Sequence, residues 1–444
     1  MPRTTDTTVL DTLIERIPDR AFGPGTSAYE AGRLVFLGPG DPEVVVRPTS
    51  ADELAQAVRV AVEHGSPIAV RSGGHGGLPA AEGVVIDLSG LDEITVGDGD
   101  LVTVGAGAHW GDVAAALAPH GLGITSGDTR DVGVGGLTLG GGIGWLARTH
   151  GLTVDILREA ELVTATGEIV TVNAESHPDL FWAIRGGGGN YGIVTRFTFQ
   201  AAPVGDLVGG HIHFDTSDVG AVLRAWRDVT VASPDTLNST LMVMPPFGPE
   251  MPGGPQLGVA LLGTEDELRA LLAPLLDLPS VTEVSLGPVA YGDLLESAPP
   301  GKPPFRFVGG NGFAPELSDE LLGACVEALD SGIPTMVLLR ALGGAFTRVA
   351  SDATPIAHRD AQALVVVNGI LPGDATDAQA ASALLDLVGP LEFTTGRYSN
   401  FTQEYGDDVL AEIYPPATLE RLRRIKAEVD PGDVFRGAHH IAPA

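Results

Sequence analysis

Arg71-Ser72-Gly73-Gly74-His75-Gly76-Gly77 closes the strand-like run Pro67 to Arg71 and sets one imidazole among glycines. Two more clusters lie downstream. One runs from Gly127 to Gly144 and holds Gly133, Gly135, Gly136, Gly140, Gly141, Gly142 and Gly144; the other is Gly186-Gly187-Gly188-Gly189-Asn190-Tyr191-Gly192. A backbone without Cβ atoms approaches a ligand closely and reaches positive φ. Successive N–H groups in such loops form concave nests that hold phosphate oxygens without Lys or Arg. A single loop of this kind reads as a tight turn or bulge. Three in one half of the chain read as a phosphate-bearing ligand site.

Two familiar phosphate motifs are excluded. Gly187, Gly189 and Gly192 match G-x-G-x-x-G, but that fingerprint needs a strand before it and a helix after it. Here Pro178 to Ile184 reads as a helix ahead of the glycines, and Ile193 to Phe199 as a strand behind them. A P-loop is absent as well, since no Gly-Lys-Ser/Thr occurs.

Outward from His75, strand and helix signals alternate. Glu43 to Arg47 is a β-branched run ended by Pro48, and Ser50-x-x-Glu53 has capping-box spacing. Leu54, Ala57, Val58, Ala61 and Val62 then fall on one helix face, with Gly65 as the stop. Val84 to Leu88 and Leu101 to Val104 read as strands, and Trp110 to Leu117 as a helix. Leu157 to Thr164 and Ile169 to Val172 flank an Ala165-Thr166-Gly167 turn. After about residue 204 the pattern becomes strand-rich, with Ser239 to Met244, Gln256 to Leu262, Thr335 to Leu339 and Ala363 to Val367. Helices over Glu265 to Leu276 and Glu316 to Leu329 separate them, which suggests an antiparallel sheet backed by helices. Leu419, Leu422, Ile425 and Val429 form a final helical stripe before Asp430-Pro431-Gly432.

The 444 residues are too many for one ordinary core and imply two domains. The formal charge of −31 argues against nucleic acid as a partner and against an acidic membrane surface. Cys325 is the sole cysteine, so no intrachain disulfide is possible. The charged first twenty residues lack a signal-peptide core, and no apolar run reaches the roughly 20 residues of a membrane span. The cytoplasm is the expected location.

The motifs resemble those of the berberine bridge enzyme-like oxidases, in the vanillyl-alcohol oxidase class of FAD proteins. The resemblance rests on Arg71 to His75, on VGVGGLTLGGGIGW from Val132 to Trp145, and on PDLFWAIRGGGGNYGIVT from Pro178 to Thr195. It resumes in Tyr398-Ser399-Asn400, Arg421-Leu422, Ile425-Lys426 and Asp430 to Phe435, and is weakest between about 205 and 390. The implied fold is α+β: a two-domain FAD-binding fold of vanillyl-alcohol oxidase type, with a substrate domain of antiparallel sheet backed by helices. Residues 1–203 and 392–444 would form the FAD-binding domain, and 204–391 the substrate domain.

The resemblance implies that FAD meets Arg71, Ser72, Gly73, Gly74, His75 and Gly76 on the first loop. On the second it meets Gly127, Thr129, Asp131, Val132, Gly133, Gly135, Gly136, Leu137, Gly140, Gly142 and Gly144, with Val194 and Asn400 beside them. His75 would bond to the flavin 8α-methyl. Many relatives add a second tether through a Cys where this chain has Thr129, so a single covalent link is expected.

Oxidation of an alcohol or amine carbon needs a hydride acceptor and a base for the neighbouring O–H or N–H proton. The resemblance implies that Tyr398, in the family's Tyr-x-Asn motif Tyr398-Ser399-Asn400, is the candidate base, although a phenol with a reference pKa of about 10 is only ~0.1% ionised at pH 7. The expected partners are a small-molecule substrate (a secondary metabolite, an alkaloid or a sugar) and molecular oxygen, reduced to hydrogen peroxide. A dehydrogenase using another acceptor and a flavoprotein that sequesters a drug-like molecule are the alternatives. No metal is expected, because His211 and His213 share a strand face without a third ligand at suitable spacing. His109 reads as a loop contact and His439-His440 as a solvated pair, while Phe305, Arg306 and Phe307 fit either a substrate pocket or a plain strand.

Overall fold

The computed structural model describes residues 8–36, 38–76, 79–247, 253–297 and 305–444. Gly77, the last residue of the first glycine loop, lies outside the described residues.

The first sheet is ordered Ala21–Phe22, Val44–Val46, Val84–Asp87, Ile68–Arg71. Val84–Asp87 inserts between the two strands that precede it and runs parallel to both. The helix Ala51–His64 makes the crossover. Ser50 Oγ accepts from Glu53 N at 3.2 Å, but the reciprocal half of the capping box is displaced by one residue. The Glu53 carboxylate takes Thr49 N at 2.7 Å and pairs with Arg20, a stronger partner than a single amide. Gly65 ends the helix at φ 64°. Leu54, Ala57, Val58 and Ala61 are buried as the periodicity requires; Val62 is exposed, and Ala55 and Val60 are buried instead. The helix is covered from two directions, by Val9–Arg16 and by Leu157–Val163, so its apolar stripe is wider and rotated.

A second, antiparallel sheet is ordered Ile169–Asn173, Leu157–Val163, Ile193–Gln200, Leu101–Gly105, Ile94–Val96. It shares one apolar core with the first sheet, and the C-terminal residues Leu419, Leu422, Ile425, Phe435 and Ile441 join that core.

The third sheet has seven antiparallel strands: Val281–Pro288, Leu207–Phe214, Gly254–Leu262, Leu237–Met244, Thr335–Ala341, Ala363–Pro372, Phe305–Ala314. Helices Val219–Ala232, Glu265–Leu271 and Asp319–Leu329 close a second core against one face. The expected helix from Glu265 to Leu276 breaks at Leu272, because Pro274 opens a new turn and cannot donate back. The helix expected from Glu316 begins at Asp319, where Ser318 caps it. The other face of the sheet, through Phe313, Leu364 and Val366, shares a third core with Ile143, Leu152 and Val154 of the glycine-rich half. That face carries the site.

Candidate active site

A cavity of about 1660 Å³ runs between the glycine loops, the C-terminal segment and the open face of the seven-stranded sheet. Sites for drug-sized ligands measure roughly 300–1,000 Å³, so this one has room for a dinucleotide with a second molecule beside it.

Arg71 sets the first loop. Its Nε donates to Leu34 O at 2.9 Å, and its fork meets the fully buried Asp87 carboxylate at 3.1 Å. Ser72 Oγ donates to Ala106 O at 2.7 Å and accepts from Gly135 N at 3.3 Å. The first and second loops therefore touch backbone to backbone. A Cβ on Gly133 would sit 2.1 Å from Gly73 N, and one on Gly73 would sit 2.3 Å from Gly133 N. Only glycine allows that approach.

Beyond this seam the wall opens. Gly76, Gly136 and Gly189 line the cavity, and a Cβ on any of them would meet nothing within 4 Å. No backbone carbonyl of a described residue accepts from the N–H groups of Gly73, Gly74, His75 or Gly76. A bare backbone with uncommitted amides fits the pyrophosphate of FAD through nest-type contacts. The charged lining groups here are spoken for: Arg33 pairs with Glu30, Arg71 with Asp87 and Arg436 with Asp433. His75 is half-buried with its ring stacked on Phe36, centroids 6.3 Å apart. Burial pushes its imidazole below the usual value, against the pull of Asp131, so it is neutral at pH 7.

Most of the residues singled out from sequence line this one cavity: Arg71 to Gly76, Gly127, Thr129, Val132, Gly133, Gly135, Gly136, Leu137, Gly140, Val194, Tyr398 and Asn400. Asp131, Gly142 and Gly144 do not line it. Asp131 stands behind the Gly73–Gly133 seam, and Gly144 packs on Ser126, where a Cβ would fall 1.4 Å from the carbonyl oxygen. Gly142 serves Tyr398.

Tyr398 is 3% exposed and its oxygen accepts three N–H donors: Gly142 N at 3.0 Å, Ile143 N at 3.2 Å and Asn400 Nδ2 at 2.9 Å. Positive φ at Gly141 (121°) and Gly142 (80°) lets two successive amides converge on one atom. Asn311 fixes the turn from below, accepting from Tyr398 N at 2.7 Å and donating to Thr402 Oγ1 at 3.0 Å. Among the described residues no acceptor takes the phenol proton. Burial pushes the phenol above its ordinary value. The Ile143 and Gly142 amides, the Asn400 amide and the Arg340 charge pull the other way and lose.

The third glycine loop, expected at a phosphate-bearing site, is joined by groups whose roles sequence reasoning missed: the C-terminal segment, Lys426 and Arg340. Gly187 to Asn190 and Phe435 to His439 line the cavity. Asn190 joins them: its Nδ2 donates to His439 O at 3.0 Å and its Oδ1 accepts from Gly437 N at 3.2 Å. Lys426, wholly buried, donates to Asn190 O at 2.8 Å and Phe435 O at 2.6 Å and pairs with Asp430 at 2.6 Å. A lysine on the buried stripe of a helix was the available signal. Arg340 on the seven-stranded sheet pairs with Asp128, beside Thr129, and lies over the Trp145 ring at 5.2 Å.

Other expectations change. His439 is no solvated residue: it lines the cavity, stacks on Tyr405 at 5.5 Å and has Nε2 3.0 Å from Ser399 O. His440 pairs with Asp433 at 2.8 Å. Phe305, Arg306 and Phe307 form a strand and also line the cavity. His109 precedes the helix Trp110–Leu117, away from the lining. Among the described residues, no cluster of His, Cys, Asp and Glu is arranged to hold a metal, and no helix is long and apolar enough to cross a membrane.

A two-domain flavin-binding fold with a glycine-lined cavity defines an FAD-dependent oxidoreductase. Residues 42–173 match the family of FAD binding domains. An uncharacterised FAD-linked oxidoreductase of Bacillus subtilis (strain 168) is 33% identical over 423 residues, covering 90% of this chain and 91% of the relative. Among solved structures, the berberine bridge enzyme-like protein 1 of Physcomitrella patens superposes with a TM-score of 0.85 at 25% identity, covering 99% of this chain and 100% of that one. The 6-hydroxy-D-nicotine oxidase of Arthrobacter nicotinovorans gives 0.83 at 26% identity, covering 96% and 98%. This chain belongs to the berberine bridge enzyme-like FAD-linked oxidoreductases.

Proposed function

We propose that the protein is an FAD-dependent oxidase that removes a hydride and a proton from an alcohol or amine carbon of a small molecule. In this reading the flavin is held by one covalent bond to His75. Bound FAD would supply the hydride acceptor, with dioxygen as the final electron acceptor and hydrogen peroxide as the product. The observation that carries the proposal is the Tyr398 oxygen, held by three N–H donors at the inner wall of the glycine-lined cavity.

The chain's own residues have distinct parts. The amides of Gly73 to Gly76 and the bare face of Gly136 hold the phosphates. A neutral His75 offers a ring nitrogen lone pair, which a protonated imidazole would lack. Thr129 has no thiol, so it cannot form a second tether. The convergent donors stabilise a Tyr398 phenolate once it forms, and the phenolate takes the substrate O–H or N–H proton. Because burial raises the phenol above its usual value of about 10, the reductive rate should climb with pH without levelling off below pH 10. We also propose that residues 1–203 and 392–444 act as the flavin unit and 204–391 as the substrate unit.

Acid precipitation tests the tether: yellow colour stays with the pellet of the parent protein and leaves with the supernatant of His75→Ala. A parent protein whose colour always stays in solution defeats the covalent assignment. Peroxide measured at one equivalent per turnover supports oxygen as acceptor, and turnover only with an artificial electron acceptor rejects it.

A further inference from the structure

We infer that the substrate is a neutral, largely apolar aromatic alcohol, seated against the exposed face of the seven-stranded sheet, and not an oligosaccharide. This rests on the oxidase reading above and names the substrate class of the same site.

Strand register decides what faces the cavity. Phe305 and Phe307 lie opposite Pro372 and Ile370, Asn368 opposite Met336, and Val366 opposite Leu338. Directly opposed residues share a face, and alternate residues along a strand return to it. Phe305, Phe307, Met336, Leu338, Val366 and Asn368 therefore form one surface, and all six line the cavity. The intervening Val337, Leu339, Val365 and Val367 point into the core on the other side. Of these six described side chains, five are apolar and one, Asn368, can hydrogen-bond.

The charged groups at this end are already committed. Arg306 pairs with Asp377 at 2.9 Å and donates to Ala375 O at 3.1 Å. Asp128 is held by Arg340, and Glu404 pairs with Arg397 at 2.8 Å. An anionic or cationic substrate would have to break one of these pairs. A sugar fares no better, since each hydroxyl taken from water without a partner costs about 1–3 kcal/mol. Of the six sheet residues Asn368 alone can serve such a group, and polar side chains of the lining such as Gln403 and Tyr405 stand on the C-terminal segment and not on the sheet. Aromatic rings frame the opening: Phe305 and Phe307 meet edge to face at 5.1 Å and 83°, and Phe247 stacks outside Phe305 at 6.1 Å. Phe401 meets Tyr398 edge-on at 5.4 Å. A flat ring inserted beside them finds the offset and edge contacts that aromatic pairs favour.

The reaction then balances simply. The carbinol hydrogen leaves as hydride to the bound flavin, the O–H proton passes to the Tyr398 phenolate, and the O–H electron pair becomes the C=O bond of an aromatic carbonyl product.

The test is anaerobic stopped-flow reduction of the holoenzyme by three sets of probes: uncharged benzylic and naphthylic alcohols, their carboxylate-bearing counterparts, and cello- and chito-oligosaccharides. Uncharged aromatic alcohols should bleach the flavin at least tenfold faster than oligosaccharides at equal concentration, with the carboxylates behind them. Phe307→Ala should weaken the aromatic alcohols' apparent Kd by about 10-fold or more, the scale of a lost apolar contact in a pocket. Faster reduction by oligosaccharides overturns the inference, and so does an aromatic panel that neither bleaches the flavin nor perturbs its absorption. An unchanged Kd in Phe307→Ala overturns it too. Dithionite keeps the two readings apart: a preparation with no flavin to bleach fails the oxidoreductase reading itself, whereas a reducible flavin with the wrong substrate order fails only the substrate class.

Discussion

The two walls of the cavity are built on opposite principles. The glycine wall works through backbone: amides, positive φ and contacts as close as the Gly73–Gly133 seam. The sheet wall works through side chains, and its character comes from which residues alternate outward. A backbone wall tolerates almost no substitution and reads as motif. A side-chain wall accepts many apolar combinations of similar volume, so it leaves little trace in the sequence and can be altered for a different substrate while the cofactor site stays intact.

The sharpest way to break this contrast is at the seam. Gly133→Val places side-chain atoms where Gly73 N and Ser72 Oγ already lie, and should abolish flavin binding while far-UV circular dichroism stays near that of the parent. Full flavin occupancy in that variant would mean the backbone approach is dispensable. Tyr398→Phe should keep the flavin and slow anaerobic reduction by about 10²–10⁴-fold, the usual span for a lost general base; unchanged reduction removes Tyr398 from that role. Together the two variants separate holding the cofactor from using it.

Lys426→Met probes how the glycine wall is braced. It leaves Asp430 buried without its cation, and such losses cost about 3–5 kcal/mol. Denaturant unfolding should register a loss of that size, along with weaker flavin retention because Asn190 and Phe435 lose their shared donor. A change under about 1 kcal/mol would mean the clasp contributes little.

The smallest effect is a pH dependence. Burial lowers the imidazoles of His150, His358 and His439. The unfolded chain then binds protons at a higher pH than the folded one does, so stability rises with pH in that window. Their contribution is complete above about pH 6.5 and is lost as pH falls through the lowered folded values. Urea midpoints that are flat from pH 7 to pH 5 would contradict this.

Legibility followed the same division. The loops at 71–76 and 127–144, the strand-helix order that rules out a dinucleotide fingerprint at Gly187, and the Tyr398-Ser399-Asn400 turn were all readable, because each depends on local backbone demands. The Asp128–Arg340 pair was not, since 212 residues separate its members. Lys426 was noticed only as part of a motif, and nothing in its helix announced that its amine would reach Asn190. His439 was misread because a terminal histidine pair carries no mark of burial until Tyr405 and Ser399 surround it.

By itself the sequence determined where the chain must turn through glycine, which family's motifs those turns resemble, and that a strand-helix half is followed by a strand-rich one. Tertiary structure alone decided that three converging donors hold the Tyr398 oxygen, that the C-terminal segment threads back to the third glycine loop, and which sheet residues line the cavity. The reason is physical. Positive φ and missing Cβ atoms are properties of single residues, whereas strand register, burial and paired charge exist only between residues brought together by the fold.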